Sequence, residues 1–298
     1  MRIATFNVQN LRLREDHLDG ARDEGVPLAK LSAEERALDA RDRALTAQVI
    51  ANADADVLAL QEVFDQRTLD AFHDAHLAPI SALYPHRICV QGNDGRRHVA
   101  LMSRMPWAQL QSHATLNYAD IGLDPPNGET ASASVFRRDC LTASIGGVLI
   151  LNVHFKAPSD AATLEVTRRE ALAVRKLIER RFADPGDARW MIIGDLNVND
   201  VPVGDVLDVL TAGFAVDLAA DQPAAERWTY FNAHYNSYAR PDRVLVSPAL
   251  APLCRNFEVR REGMSSAALA YGGARLDDVG LVRPRASDHA LLVVEVDV

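Results

Sequence analysis

The segment WMIIGDLNVND, residues 190–200, constrains the fold of this chain more than any other stretch. Four apolar residues run into Gly194, and Asp195 and Asn197 follow, which predicts a buried strand that ends in polar groups. Because side chains alternate along a strand, Asp195 and Asn197 are predicted to point to the same side. Open α/β sheets bind their ligands at such strand ends, although an ordinary Asp/Asn turn would give the same local pattern.

Short apolar runs alternate with longer amphipathic segments along the chain, which is typical of an α/β protein. Gly146 and Gly147 separate two of these runs and predict a tight hairpin, so the sheet is expected to be partly antiparallel. Strands are predicted at 2–8, 56–62, 86–91, 98–103, 134–145, 148–155, 189–195, 242–247, 255–261 and 289–297.

Helices are predicted where capping residues precede amphipathic stretches. Ser32 followed by Glu35 has the form of a capping box and opens the first helix. A second long helix is predicted from residue 159 or 160 to residue 182, with shorter ones at 66–77 and 203–212. No repeat or linker is evident, so a single domain over residues 1–298 is predicted. The loops at 12–31, 117–133, 221–240 and 263–287 are the candidates for substrate specificity, and an idle surface loop is an equal alternative for 117–133.

The formal net charge of −9 counts against a non-specific nucleic-acid binder, since such proteins are usually basic. It counts less against an enzyme, because carboxylates at a cation site contribute to the total. Three widely spaced cysteines argue against a disulfide framework or a structural zinc site. No membrane span is expected, and no signal peptide is evident, so a cytoplasmic location is expected unless a signal has been removed.

Polar residues recur at the ends of several predicted strands. A hard divalent cation such as Mg²⁺ takes carboxylate oxygens, while histidines and amides can bind a phosphate, so these residue types suit metal-assisted attack on a phosphate ester. The residues are Asn7, Gln61, Glu62, Asn152, His154, Lys156, Asp195, Asn197, Asp242, Arg243, Ser287, Asp288 and His289.

The motifs FN, QE, HFKA, GDLN and SDH follow one another in an order that resembles the endonuclease/exonuclease/phosphatase superfamily. This superfamily includes pancreatic deoxyribonuclease, apurinic-site endonucleases, neutral sphingomyelinases and inositol-polyphosphate 5-phosphatases. The likeness extends from Asn7 to His289. It implies a four-layer α/β sandwich, in which two facing mixed sheets are flanked by helices.

The resemblance also implies a metal site for Mg²⁺ or Mn²⁺. Glu62 matches the principal metal ligand of the superfamily, and Asn7 matches the amide beside the metal. Asp288 matches a second acidic residue near the ion. Glu62 at the end of an apolar strand is difficult to explain as a solvated residue, because unpaired buried acids are rare.

Catalytic roles follow from the same resemblance. Asp195 matches the carboxylate that orients or deprotonates the attacking water, and Asn197 matches its partner at the phosphate. His289 matches the histidine bound to the scissile phosphate, and Asp242 matches the carboxylate that keeps that histidine cationic. His154 matches a second phosphate-facing histidine of the deoxyribonuclease and sphingomyelinase branches.

Other residues leave alternatives open. Asn152 is assigned to substrate binding, and a satisfied core amide is the alternative of equal weight. Pro241 precedes Asp242 where many relatives have another apolar residue, which makes Asp242 the weakest match because proline restricts the local backbone. Lys156 and Arg243 are interpreted as surface or supporting residues. The aromatic residues around Tyr230 suit either base stacking or a hydrophobic core.

The leading hypothesis is therefore a metal-dependent phosphodiesterase in which an activated water attacks phosphorus, with DNA or RNA as substrate. A phosphodiesterase or phosphatase of a small molecule or lipid headgroup is the alternative, since it would use the same site with different loops. A catalytically silent scaffold is a third hypothesis. It is disfavoured because Glu62, Asp195 and His289 are all present.

Overall fold

Two six-stranded sheets face each other in the computed structural model, which describes residues 1–22, 26–200 and 206–298. In spatial order the first sheet consists of β15 (Cys254–Arg260), β16 (Leu291–Val296), β1 (Arg2–Leu11), β4 (Val57–Val63), β6 (His98–Ser103) and β5 (His86–Val90). The second consists of β11 (Val216–Asp217), β14 (Asp242–Val246), β10 (Trp190–Asp195), β9 (Val148–His154), β8 (Cys140–Ile145) and β7 (Ala108–Gln111). Two ribbons pair β2 (Leu13–Arg14) with β3 (His17–Leu18) and β12 (Tyr230–Asn232) with β13 (Ser237–Ala239).

Each large sheet has a parallel pair of strands at its centre. In the first sheet β1 runs parallel to β4, and in the second β10 runs parallel to β9. The other neighbouring strands of both sheets are antiparallel. Gly146 and Gly147 join β8 to β9 with φ of 56° and 81°, the left-handed conformation that a two-residue hairpin turn requires. The predicted hairpin and the mixed sheets are both confirmed.

The helices are α1 (Ala33–Ala53), α2 (Gln66–Phe72), α3 (Tyr118–Ile121), α4 (Ala161–Arg181) and α5 (Val206–Thr211). Short 3-10 turns occupy Leu28–Lys30, Ala78–Ile80 and Ala251–Leu253, and a π turn occupies His73–Leu77. Both long predicted helices are confirmed, and Ser32 and Asp160 cap their amino termini. Residues 203–205 of the helix predicted at 203–212 lie outside the described residues.

Apolar side chains form cores on both faces of each sheet. The core between the sheets includes Ile3, Leu101, Ile150, Met191 and Val244. A second core lies where α1 and α2 cover the outer face of the first sheet, and a third where α4 and α5 cover the second sheet. The layer order is therefore helix, sheet, sheet, helix, which confirms the predicted four-layer sandwich.

The middle of α1 buries charged residues instead of a continuous apolar stripe. Arg43 is fully buried and donates to the carbonyl oxygens of Val8 (2.7 Å) and Gln9 (2.8 Å), where β1 loses its regular pairing with β4. The same guanidinium donates to Gly20 O at 2.9 Å. Arg43 therefore fixes the end of β1 and the loop that follows it.

The predicted strand at 134–145 starts too early, because β8 begins only at Cys140. The preceding residues bind neighbouring loops instead of a strand. Asp139 accepts hydrogen bonds from Ser112 Oγ (2.6 Å) and His113 N (2.7 Å), and Arg138 O accepts one from Asn93 N (3.1 Å).

Among the described helices, none is long and apolar enough to cross a membrane.

Candidate active site

Polar side chains from both sheets meet in one cavity of about 490 Å³ at the carboxyl ends of the two parallel strand pairs. This active-site cavity is lined by most of the residues predicted to form a site: Glu62, His154, Asp195, Asn197, Asp288 and His289. Asn7 and Asp242 lie directly behind them and bind them through hydrogen bonds. The sandwich thus brings together residues that are far apart in the sequence.

Backbone irregularities at the strand ends turn the side chains into the cavity. Gln9, Asn10, Glu62 and Asn197 all have positive φ, at 46°, 50°, 64° and 54°. The pairing of β1 with β4 shifts between Asn7 and the end of β1, and that of β4 with β6 shifts at Glu62. Bulges of this kind re-aim a side chain, and strained backbone often accompanies functional sites.

Asp195 is almost completely buried at the centre of the site. Its Oδ2 accepts a hydrogen bond from Asn7 Nδ2 (3.0 Å), and its Oδ1 accepts one from Asn197 N (2.8 Å). Burial raises the pKa of Asp195 to about 7, and the nearby Asp242 carboxylate adds to the shift. The carboxylate is therefore oriented by two donors and is able to take up a proton near neutral pH.

His289 is held by a second carboxylate. Its Nδ1 bonds to Asp242 Oδ2 at 2.8 Å, and Thr229 Oγ1 donates to the same oxygen at 2.6 Å. Burial alone would lower the pKa of His289, but the Asp242 carboxylate outweighs this and the pKa rises to about 10. The imidazolium places Nε2 4.0 Å from both Asp195 Oδ2 and Asp288 Oδ1.

His154 has the opposite charge preference. Burial, assisted by the Arg138 guanidinium, lowers the pKa of His154 well below its usual value, so the ring is neutral at neutral pH. Its Nε2 lies 3.5 Å from Asp195 Oδ2, and its buried Nδ1 has no hydrogen-bond partner among the described residues. The cavity therefore holds one cationic and one neutral imidazole around a single carboxylate.

Glu62 and Asp288 are two further carboxylates that line the cavity and repel each other. Glu62 Oε2 accepts from Asn10 N (2.9 Å), and Asp288 Oδ2 accepts from Gln9 Nε2 (2.9 Å). Burial and the neighbouring Asp288 carboxylate raise the pKa of Glu62. A divalent cation would relieve this repulsion, and hard oxygen donors are the ligands it prefers, so the pair fits a metal ion.

Asn7 contacts Asp195 through its amide nitrogen, and its Oδ1 accepts from Gln9 N at 3.0 Å. Its predicted place beside a metal stays a prediction.

Asn152 does not line the cavity. It is fully buried between the sheets, where its Nδ2 donates to Ala100 O (2.8 Å) and its Oδ1 accepts from Gln61 Nε2 (2.8 Å). These contacts match the core amide that the sequence left open, and the substrate-binding role of Asn152 stays a prediction.

Pro241 does not prevent Asp242 from reaching His289, since Asp242 Oδ2 lies 2.8 Å from His289 Nδ1. The carbonyl of Pro241 accepts a hydrogen bond from Leu196 N (2.9 Å), and β14 starts at the next residue.

Arg243 points away from the cavity. It is fully buried and bonds to Asp200 and Asp217 carboxylates at 2.9 and 3.0 Å, which makes it a structural residue.

Besides Asp195, Asp242 and His289 in this cavity, a second set of three side chains with closely spaced ligand atoms, His17, Asp19 and Asp39, lies outside it. Arg14 pairs with Asp19, and Arg22 and Arg283 both bond to Asp39, at 3.0 and 2.6 Å. The carboxylates already have cationic partners, so this group does not suit a metal ion.

The model of the Endonuclease/Exonuclease/phosphatase family matches residues 4–289, which is nearly the whole chain. The chain belongs to the Endonuclease/Exonuclease/phosphatase family. Its members are phosphoester hydrolases, as the family name implies. The resemblance inferred from the motifs is thereby confirmed.

Several solved structures share the fold of this family member. They include the 3′ phosphatase NExo from Neisseria bound to a product DNA hairpin, with 20% identity, complete coverage of both chains and a TM-score of 0.61. An AP endonuclease from Archaeoglobus fulgidus has 17% identity, complete coverage of both chains and a TM-score of 0.59. Truncated TDP2 from Caenorhabditis elegans has 20% identity over 98% of this chain and 95% of its own, with a TM-score of 0.58. Among curated proteins, none matches the sequence.

Three residues of this family member line the cavity without having been assigned a role from the sequence: Gln9, Arg97 and Arg138. Tyr230, for which base stacking and a hydrophobic core were both open, also lines it. The Tyr230 ring lies 4.8 Å from that of His289, measured between centroids. Trp228 and Phe231 are instead buried in a small core. Gln9 follows Asn7 by two residues on the first predicted strand, so strand alternation would place both side chains on the same side. This alternation is the sequence signal that could have identified Gln9 as a site residue.

Proposed function

We propose that this protein is a metal-dependent phosphodiesterase that hydrolyses a nucleic acid through an activated water. The observation that carries the proposal is the position of His289 Nε2, 4.0 Å from carboxylate oxygens of both Asp195 and Asp288. A cationic donor between two acidic groups is suited to a phosphate whose negative charge shifts during in-line attack.

Glu62 and Asp288 would hold the metal ion, for which Mg²⁺ and Mn²⁺ are the candidates. When bound, the ion would polarise a phosphoryl oxygen and stabilise the leaving oxygen. Gln9 and Asn10 keep the two carboxylates in place through hydrogen bonds of 2.9 Å each. Fixed ligands of this kind reduce the reorganisation needed when the ion binds.

Asp195 orients the attacking water and accepts its proton. Burial raises the pKa of Asp195, which makes its carboxylate a stronger proton acceptor than a solvated one. Asn7 and the backbone of Asn197 hold the carboxylate. His289 donates from Nε2 to a non-bridging phosphate oxygen, while neutral His154 offers an N–H without adding a second imidazolium.

Two further features favour a nucleic acid over a small ester or a lipid headgroup. Arg97 and Arg138 add guanidinium groups to the cavity wall, and Arg138 is fixed by a hydrogen bond to Phe155 O (2.6 Å) and an ion pair with Asp94 (3.2 Å). Planar guanidinium groups suit phosphate recognition. In addition, an AP endonuclease and a DNA-bound 3′ phosphatase have the same fold.

The test is turnover of bis(p-nitrophenyl) phosphate with Mg²⁺ or Mn²⁺, with and without EDTA. We expect hydrolysis with metal and none with EDTA, whereas the absence of turnover with either metal would favour a silent scaffold. Plasmid DNA, RNA, sphingomyelin and inositol polyphosphates then serve as competing substrates. Preferred cleavage of sphingomyelin or inositol polyphosphates would replace the nuclease proposal with the small-molecule or lipid alternative.

A further inference from the structure

Helix α4 carries a completely buried carboxylate, that of Glu170, which binds two loops next to the active-site cavity. Glu170 Oε1 accepts a hydrogen bond from Arg137 N (2.8 Å), and Oε2 accepts one from Lys156 N (2.6 Å). Buried acids are rare, and hydrogen bonds to a charged acceptor are stronger than those to a neutral one. A single side chain therefore joins two segments that are distant in the sequence.

Both segments lead directly into the active-site cavity. Arg137 precedes Arg138, and Lys156 precedes Ala157, and both following residues line the cavity. Thr167, one turn before Glu170 on α4, donates from Oγ1 to Lys156 O at 2.6 Å. The helix thus holds the peptide groups on both sides of Lys156.

The backbone of Phe155, next to Lys156, connects three residues of the site. Its N–H donates to Asp195 O (2.9 Å). Its carbonyl oxygen accepts from Arg138 Nη1 (2.6 Å) and from Asn197 Nδ2 (2.9 Å). Displacement of this carbonyl would therefore move the Arg138 guanidinium.

Arg138 depends on Glu170 at two points. The backbone before Arg138 is held through Arg137 N, and the carbonyl that its guanidinium binds belongs to the residue before Lys156. The remaining contacts of Arg138 are an ion pair with Asp94 (3.2 Å) and a hydrogen bond from Asn93 N to its carbonyl oxygen (3.1 Å). Loss of the Glu170 carboxylate would leave the guanidinium attached to a mobile acceptor.

We propose that Glu170 is a positioning residue, which holds the Arg138 guanidinium where it binds the phosphate of the substrate. The inference rests on the proposed function, since that function supplies the phosphate. Glu170 does not itself line the cavity, and it acts through Arg138. Residues that support a binding group in this way keep it in its productive geometry before the substrate arrives.

The test compares wild type with Glu170→Gln, and Val174→Ala is the matched control. Glutamine has the same shape but only one acceptor oxygen, and its NH₂ group would oppose one of the two N–H groups. Val174 is also fully buried on α4, one turn further along, and packs in the core behind the second sheet. Measurements are made at pH 8, where the Glu170 carboxylate is ionised, since burial raises its pKa to about 7.

Turnover of bis(p-nitrophenyl) phosphate in Mg²⁺ gives the first readout. We expect Glu170→Gln to raise KM about tenfold while kcat stays within about threefold of wild type, because Arg138 binds the phosphate before and during the reaction. Val174→Ala should leave KM within about twofold of wild type, although it weakens the packing of the same helix.

A double-mutant cycle shows whether Glu170 acts through Arg138. In the Arg138→Ala background, Glu170→Gln should change KM by no more than about twofold. Losses that multiply in the double variant, or a wild-type KM in Glu170→Gln, would overturn the proposal. If Glu170→Gln does not fold, Thr167→Val decides, since it loses only the bond to Lys156 O and should raise KM several-fold in the presence of Arg138 alone.

The second readout requires no turnover and separates this inference from the proposed function. Solvent exchange of the buried Arg138 Nε–H is measured by ¹H–¹⁵N NMR in EDTA. We expect exchange at least about tenfold faster in Glu170→Gln than in wild type, and unchanged exchange in Val174→Ala. A wild-type protein without turnover refutes the proposed function, whereas equal exchange in wild type and Glu170→Gln refutes the positioning role.

Discussion

Asn152 and Asn197 are both amides near the end of a strand, yet the structure gives them different surroundings. Asn197 lines the active-site cavity, whereas Asn152 joins the two sheets by bonding to Ala100 O and Gln61. Position on a strand predicts which side a residue faces, but not whether that side holds solvent or another sheet. The difference leads to a prediction about stability.

We predict that Asn152→Ala lowers the free energy of unfolding by about 2 kcal/mol or more, because buried carbonyl groups lose their donor. Urea denaturation measures the loss. Exposed Asn52 on α1 provides the control, and Asn52→Ala should change stability by less than about 0.5 kcal/mol. A stable Asn152→Ala variant that has lost oligonucleotide affinity would instead support the substrate-binding role.

At the scale of the elements, Gly194 sets how closely β10 approaches β9. A Cβ at this position would lie 2.0 Å from Val153 O, and the φ of 133° is unfavourable for other residues. We predict that Gly194→Ala lowers the free energy of unfolding by more than about 2 kcal/mol and decreases the Tm. The approach of β10 is required for Asp195 to reach His154 at 3.5 Å.

Gly213 is the matched control for this substitution. It also has a positive φ, at 64°, but a Cβ there would meet nothing within 4 Å. Gly213→Ala should therefore cost only the conformational term of about 1 kcal/mol. Equal decreases in Tm for the two variants, measured by differential scanning calorimetry, would show that close packing against Val153 is not the cause.

Glu170 connects α4 to two loops near the site, and its ionisation is expected to make the stability of the protein depend on pH. Its carboxylate accepts from Arg137 N (2.8 Å) and Lys156 N (2.6 Å), and burial raises its pKa to about 7. Since the pKa in the unfolded chain is near 4.5, the folded state binds more protons between these values. The stability that this group contributes is complete below pH 4.5 and is lost as the pH rises through about 7.

Glu170→Gln removes this titration. We predict that the difference in unfolding free energy between pH 5 and pH 8 is smaller in the variant than in wild type, by an amount on the order of a few kcal/mol. Urea denaturation at the two pH values measures it. An unchanged pH dependence would show that Glu170 is ionised throughout in the folded protein.

Local sequence patterns predicted several helices and turns, but not the contacts between distant segments that shape the site. The caps at Ser32 and Asp160 and the hairpin at Gly146 depend on neighbouring residues, so their patterns predicted the elements correctly. The bulge at Glu62 and the clamp by Arg43 depend on contacts between distant segments, for which a single sequence carries no local signal.

At the scale of the whole molecule, the first and last long strands are neighbours in one sheet. Arg2 of β1 pairs with Glu295 of β16, and Asp288 and His289, directly before β16, line the cavity together with Glu62 of β4 and Asp195 of β10. The site therefore depends on both ends of the described chain. The prediction of one domain over residues 1–298 stays a prediction, and this arrangement supports it.

Urea-induced unfolding tests whether residues 1–298 form a single domain. We expect a single urea transition, with the same midpoint by far-UV circular dichroism and by tryptophan fluorescence. The fluorescence probes are well distributed, since Trp190 and Trp228 lie in different cores. Two separate midpoints would show that the sheets or the loop segments unfold independently.

The central claim is that Glu62, Asp195 and His289 act together on one phosphate ester. The most direct measurement is kcat for bis(p-nitrophenyl) phosphate in Mg²⁺, for wild type, Asp195→Asn and His289→Ala, with exposed Asp184→Asn as the control. We predict that the two active-site variants each lose about two to three orders of magnitude, because each group acts on the charged transition state, while Asp184→Asn retains wild-type turnover. Near-wild-type kcat in both Asp195→Asn and His289→Ala would contradict the claim.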